Sequence, residues 1–157
     1  LPKGSILAHG VQLAPEEVAL AEAHGAWLVQ NPRSNRGNRV GFARHLAEHR
    51  HTALGTDGYP SDLWDEADAL RVEARMHGLL PAVAEVRLAG SAEIGRLLFG
   101  EASGADRVTR ADGRVMEVEV AGHPVVLEGR LATADVEDIE ADARAQATRL
   151  WERMRAL

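Results

Sequence analysis

The sequence predicts an α/β fold on three observations. Short apolar runs alternate with helical patterns through the first half of the 157 residues. The clearest of those helices open at Pro or at Ser-Asp and close at Gly. The second half then changes period, from alternating apolar positions to one long amphipathic stretch.

"SILA", Ser5 to Ala8, is apolar and short, and reads as a buried strand ending at His9-Gly10. The helix after it starts at Pro15, where no backbone donor is needed. Glu16 and Glu17 suit the positive end of its dipole, Leu13 and Val18 have staple spacing, and Gly25 caps the end. "AWLVQ", Ala26 to Gln30, is a second strand, and "NPRSNRGN" after it is rich in turn formers and reads as a loop. "RVGFARHLAEHR" reads as a short helix and "TALG" as a third strand. Ser61 or Asp62 caps a helix whose apolar stripe is Leu63, Ala67, Leu70 and Ala74, closed by Gly78. Such alternation predicts parallel strands with right-handed helical crossovers and two open sheet edges.

Beyond Gly78, "SAEIGRLL" reads as a short helix capped by Ser91, and "EASGADRVTRADG" as turn-rich. "GRVMEVEV" alternates, and with "AGHP" and "VVLEG" it predicts an antiparallel hairpin with a four-residue loop. Val136 to Met154 is an amphipathic helix striped by Val136, Ile139, Ala143, Ala147, Leu150 and Met154, with Glu140 and Arg144 at i,i+4. That stripe reads as ordinary packing, as do Trp64 and Trp151; Trp27 reads as core.

Composition narrows the function classes. A formal net charge of −6 with no dense basic run argues against nucleic acid or an anionic membrane as partner. Cysteine is absent, which removes disulfides, thiol nucleophiles and Cys-type zinc sites. No apolar run approaches the roughly 20 residues of a membrane span, and no signal peptide is visible, so a cytoplasmic protein is expected. The chain opens "LPKGSILAHG", with Leu rather than Met, as a truncated or excised segment does.

Two chemistry-bearing groups follow candidate parallel strands: His9 after "SILA" and Asp57 after "TALGT". Parallel strands put His9, the Asn31 loop and Asp57 on one rim, where α/β folds build their sites. A His and an Asp there suit a metal, or a base with its orienting partner.

"ILAHGV", "NPRSN…NRVG" and "LGTDG", in that order, resemble the last three barrel strands of the amidohydrolase superfamily. The likeness is greatest to its cytosine-deaminase and chlorohydrolase-like branch, and "NPRSNRGNRVGFA" with "GTDGYPSDLW" is most similar to aminohydrolases associated with selenium metabolism. "VMEVEVAGHPVVLEGRL" resembles the return to the small β-sandwich of these chains, and "DIEADARAQATRLWERM" their terminal helix. The resemblance implies a partial (β/α)8 TIM barrel over residues 1–100 and sandwich strands with a terminal helix over 101–157. It implies a hydrolase in which a divalent ion, zinc or iron, activates water against an aminated or halogenated ring. Asp57 would be a metal ligand that also takes the proton from that water. His9 would orient water or substrate, or bind an ion. Asn31, Ser34 and Asn35 would shape the pocket, with Arg33 meeting an anionic substrate group. The family's His-x-His pair and a later His are missing, and two ligands fall short of the three that zinc sites take. The expectation is therefore a C-terminal portion, inactive alone, whose partners include the missing barrel half and a second copy of the chain.

Two patterns compete with that reading. "HRH", His49 to His51, has the form of the missing pair but precedes the third strand, at the opposite rim from Asp57. "HLAEH", His45 to His49, matches the inverted zinc-protease motif, yet it sits between two strands and reads as a solvated outer helix. His24 and His77 lie beside helix-closing glycines, and His123 in the hairpin turn. A rival of another class is a non-catalytic assembly module, using the open strand edges and the last helix.

Overall fold

The computed structural model describes residues 1–100 and 106–157, the side chains of 47 and 48 aside. The chain forms two compact units, Leu1–Leu98 and Phe99–Leu157.

In the first unit, β1 (Ile6–Ala8), β2 (Trp27–Gln30) and β3 (Thr52–Leu54) form a parallel sheet in the order β1-β2-β3. Leu7 pairs with Leu28, and Val29 with Ala53. The ladder continues past the strands: His9 N–H donates to the Val29 carbonyl (2.7 Å) and Gly55 N–H to that of Gln30 (3.0 Å). β3 is buried throughout, as a strand covered on both faces must be.

Helix α1 (Pro15–Ala23) begins at the Pro, as its sequence requires. Glu17 reaches back to accept the Ala14 N–H at 2.8 Å. Val18, Ala21, Ala26, Leu28, Ala43 and Leu46 form one apolar core, with Leu7, Val11 and Leu13 packed against it. Phe42, Leu54, Ala67, Leu70 and Ala84 form a second core with α3 (Leu63–Met76) and α4 (Val83–Phe99). Asp62 caps α3, accepting from the Trp64 and Asp65 N–H groups.

Three sequence expectations need correction here. "NPRSNRGN" is not all loop: Pro32–Gly37 is a helix, α2. "RVGFARHLAEHR" holds only a 3-10 turn, Arg44–Glu48. Ser91 does not cap a helix but sits inside the longer α4, where its Oγ accepts from Leu54 N–H and also lies 3.0 Å from the Leu54 carbonyl. A Cβ at Gly90 would collide with the Thr52 carbonyl. α4 thus lies along the outer edge of β3 and satisfies the Leu54 N–H there, so that edge is not open. The outer edge of β1 has no strand neighbour among the described residues, and a groove of about 630 Å³, lined by Ile6, Ala8, Val11 and Leu13 among others, runs beside it.

The second unit is a four-stranded antiparallel meander, β4 (Arg107–Ala111), β5 (Arg114–Val120), β6 (His123–Leu127) and β7 (Arg130–Leu131), then α5 (Val136–Arg155). The single predicted hairpin is therefore one of three, and β4 lies in the stretch read as turns, whose residues 101–105 are outside the described residues. Asp112-Gly113, Ala121-Gly122 and Glu128-Gly129 each have two consecutive positive φ values, the geometry of two-residue hairpin turns that match strand twist. The "AGHP" loop is thus Ala121-Gly122 alone, and His123 is an exposed strand residue. The α5 stripe does not pack as expected: Ile139, Leu150 and Met154 are about half exposed (50%, 49% and 54%). Trp64 and Trp151 are also exposed, and Trp27 is buried. No described helix is long and apolar enough to cross a membrane.

Candidate active site

His9 and Asp57 follow the carboxyl ends of β1 and β3, and both adopt left-handed backbone, φ 66° and 52°. His and Asp tolerate that region better than most residues, and each is followed by Gly. The turn breaks the strand direction and delivers both side chains to one rim. His9 Nε2 lies 3.8 Å from Asp57 Oδ2, with both side chains near two-fifths exposed (41% and 44%).

α2 supplies the rest of the rim. Ser34 Oγ donates to Asp57 Oδ2 at 2.6 Å. Asn38 Nδ2 donates in turn to Ser34 Oγ at 3.2 Å. His9 Nδ1–H donates to Asn35 Oδ1 at 2.9 Å. An amide oxygen only accepts, so this bond puts the imidazole proton on Nδ1 and leaves a lone pair on Nε2. The Asp57 carboxyl is held below the usual carboxylate range, chiefly by the Ser34 hydroxyl, against an upward push from desolvation, with the Gly58 N–H and, when its ring is protonated, His9 adding to the depression. Two electron-pair donors, an imidazole nitrogen and an ionised carboxylate, thus face a common space.

Asn31 and Asn35 are buried, and among the described residues Asn31 Oδ1 and Asn35 Nδ2 have no partner. Gly55 passes so close to Asn31 that a Cβ there would stand 2.9 Å from Asn31 Nδ2. Arg33 is committed elsewhere. Its Nε donates to Glu66 Oε1 (2.7 Å), its backbone N–H to Glu66 Oε2 (3.0 Å), and its Nη2 to the Pro60 and Asp62 carbonyls (2.6 and 3.2 Å). Glu66 is fully buried, so this pair anchors the first turn of α2 to α3 and caps an orphan donor. The guanidinium is thus held between α2 and the start of α3. The pairing of Glu66 with Arg33 is not legible in the sequence, because 33 positions separate the two.

Neither competing histidine pattern joins this rim. The protease motif needs an α-helical face, whereas His45 lies exposed in the 3-10 turn and His49 is buried just beyond it. His49 and His51 gather with Glu22 at the other end of the sheet, before β3 begins, with one ligand atom from each within 4.8 Å of the others. Burial holds the His49 imidazole below its ordinary pKa, with Glu22 opposing and His51 reinforcing that shift. His77 stacks on Phe42, ring centroids 4.4 Å apart.

The fold is similar to that of part of larger hydrolases, two of them with zinc bound. An adenosine deaminase from Xanthomonas campestris with bound zinc aligns over 97% of this chain and 43% of its own, at 22% identity and a TM-score of 0.76. An atrazine chlorohydrolase from Arthrobacter aurescens TC1 complexed with zinc aligns over 89% of this chain and 40% of its own, at 23% identity and a TM-score of 0.66. A triazine hydrolase from Arthrobacter aurescens aligns over the same shares, 89% and 40%, at 25% identity and a TM-score of 0.60. The chain thus spans about two-fifths of the length of the structures it matches. The resemblance to the C-terminal part of the amidohydrolase superfamily is borne out in the fold. No family model matches the chain.

Proposed function

We propose that these residues are the last three βα units of a metal-dependent hydrolase barrel, of the kind that removes an amino group, or less often a halogen, from a ring substrate. The supporting observation is the rim pair: His9 Nε2 and Asp57 Oδ2 are 3.8 Å apart and each is fixed by a neighbour on α2. The donor set suits a divalent ion such as zinc, since both atoms bear lone pairs and a histidine ligand is ordinarily oriented through its other nitrogen. Asp57 and His9 would hold the ion, which when bound acidifies water for attack on an electrophilic carbon. Asp57 takes up the proton at its free carboxylate oxygen. Ser34 keeps that carboxylate ionised until then. Asn35 keeps His9 in the tautomer that presents Nε2 to the mouth. Asn31 and Asn35, buried with amide atoms unspent, line the substrate side. The exposure of the mouth suits a small-molecule substrate, as adenosine and atrazine are for the enzymes named above.

Two ligands leave the zinc shell incomplete. On this reading the others are supplied by a further polypeptide segment. The groove beside β1 supports this: an unpaired parallel edge with apolar lining is where a preceding barrel strand adds. The β3 edge then has to exchange α4 for a strand before a barrel closes. The test is turnover. Supplied with zinc or iron and offered aminated purines, pyrimidines and triazines, the 157-residue chain alone releases neither ammonia nor chloride. Turnover by it alone would contradict the incomplete shell.

The assembly-module reading has one specific observation in its favour, the exposed apolar stripe of α5. A metal-free dimer on a sizing column favours it over the enzyme.

A further inference from the structure

We infer that Glu22, His49 and His51 form a second metal site, at the amino end of the sheet and separate from the rim. Glu22 lies in the last turn of α1, and the two histidines lead into β3. Their ligand atoms fall within 4.8 Å of one another. Zinc–nitrogen and zinc–oxygen bonds of about 2.0–2.2 Å put tetrahedral ligand atoms about 3.4 Å apart, so side-chain adjustments suffice to close the group on an ion.

The hydrogen bonding of the cluster, as it stands, cannot be satisfied by protons alone. His49 Nδ1 lies 2.6 Å from Glu22 Oε2. The same nitrogen accepts the backbone N–H of His51 at 3.1 Å. If Nδ1 keeps its lone pair for that N–H, it has nothing to donate to the carboxylate. If it carries a proton for Glu22, that proton confronts the His51 N–H. His49 is 5% exposed, and among the described residues its Nε2 has no partner, nor does the buried Nδ1 of His51. Buried imidazole nitrogens without partners are rare in folded proteins and call for an explanation. A divalent cation supplies one: it takes one lone pair from each ring and the charge of Glu22, so no proton is needed between His49 and Glu22, and each ring keeps its single proton on the nitrogen that faces away from the ion. The Arg50 guanidinium, 3.8 Å from Glu22 and 87% exposed, is a surface pair that offers little competition, although the Arg50 N–H also donates to Glu22 Oε2 at 3.0 Å.

Two imidazoles and one carboxylate suit zinc, with nickel and copper as the stronger-binding competitors of the same class. A cleft of about 420 Å³, lined in part by Glu22, Arg44, His45 and His49, gives an ion access and room for a water as fourth ligand. The site joins α1 to the start of β3 across the first apolar core. Its role is to clamp the sheet's amino end, leaving the chemistry to the opposite rim.

The experiment loads the metal-free protein with zinc, dialyses it, and compares retained zinc and Tm across variants. The expected result is one retained equivalent per chain and a Tm rise of about 5–10 °C at a hundredfold excess over Kd. Both persist in Asp57→Ala and both are lost in Glu22→Gln and in His51→Ala. Those two positions are partly exposed, so the test does not depend on a His49 variant that fails to fold. Cobalt gives a second readout: the visible absorption of a low-coordinate nitrogen–oxygen site, present in the parent and absent in Glu22→Gln. Zinc that survives Glu22→Gln and His51→Ala, zinc that disappears in Asp57→Ala alone, or no retained zinc in the parent overturns the assignment.

Discussion

The two ends of the three-stranded sheet carry the same kinds of group in opposite circumstances. At the carboxyl end, His9 and Asp57 are near two-fifths exposed, and each is bonded to a side chain on α2 that sets its protonation. At the amino end, His49 is buried against Glu22 with an unpartnered ring nitrogen. An open pair with its tautomer and charge preset can receive a substrate. A closed pair with unspent lone pairs can receive an ion and little more. The difference follows from topology. Strand ends that turn through left-handed residues throw their side chains outward, whereas strand starts fed by a short 3-10 turn keep theirs under the neighbouring helix.

The largest effect that would break this contrast is on turnover. In a polypeptide joining this segment to the remaining metal ligands, Asp57→Asn should lower kcat about 10²–10⁴-fold, the usual worth of a proton-transfer group. Steady-state kinetics on an aminated ring substrate reads it. An Asp57→Asn enzyme with unaltered kcat would remove the carboxyl end from consideration.

Next in size is the scaffold under that end. Arg33→Ala takes the guanidinium from the fully buried Glu66 carboxylate, leaving it the backbone N–H of residue 33, and loosens α2 from α3. Removing one partner of a buried pair costs about 3–5 kcal/mol. Chemical denaturation should show that loss, together with weaker ion binding at the rim, while zinc at Glu22, His49 and His51 is affected only through the global loss of stability. A change under about 1 kcal/mol would mean that Glu66 finds another partner.

A smaller effect concerns Arg87, buried on α4 with its guanidinium against the Gln30 amide and Nη2 without a partner. Burial pushes it down to about 10. Its folded pKa is depressed, so the folded state disfavours the cation, and stability rises as pH climbs through about 10. Replacing Gln30 and Arg87 together by Met and Leu should stabilise the 157-residue chain by about 1–4 kcal/mol. If the double variant instead destabilises a longer polypeptide, a carboxylate from outside this segment meets Arg87, which would place part of the proposed barrel beside α4.

How far the sequence foretold these features depends on the range of the interactions behind them. His9 and Asp57 were legible because each ends an apolar run and precedes Gly, so strand direction alone assigns them to one rim. α2 was not, since "NPRSNRG" is made of turn formers and is held helical by Glu66, more than thirty positions away. Ser91 looked like a cap because Ser often is one; here the β3 edge, a tertiary partner, claims its hydroxyl. β4 escaped notice because Arg107 and Arg110 interrupt its alternation, and its pairing with β5 supplies what the pattern lacks. The "HRH" pair was visible, but its third ligand on α1 could only be found once the helix lay beside it.

The smallest effect tests whether the rim is preset as described. The Ser34 hydroxyl is the main reason that Asp57 titrates below its ordinary value. A depressed carboxyl stabilises the fold above its unfolded pKa, and that contribution is lost as pH falls through the folded value. Ser34→Ala should raise the folded pKa toward the unfolded one and thus shrink the acid window in which Asp57 matters to stability. The Gly58 N–H and His9 still hold it partly down, so the shift is incomplete. Carbon-detected NMR titration of the Asp57 carboxyl reads the change directly. His9→Ala should move the same curve less, because its charge is the smallest of the contributions. A curve that responds to His9→Ala and ignores Ser34→Ala would reverse the ranking, and would make the histidine rather than α2 the group that keeps the carboxylate ionised.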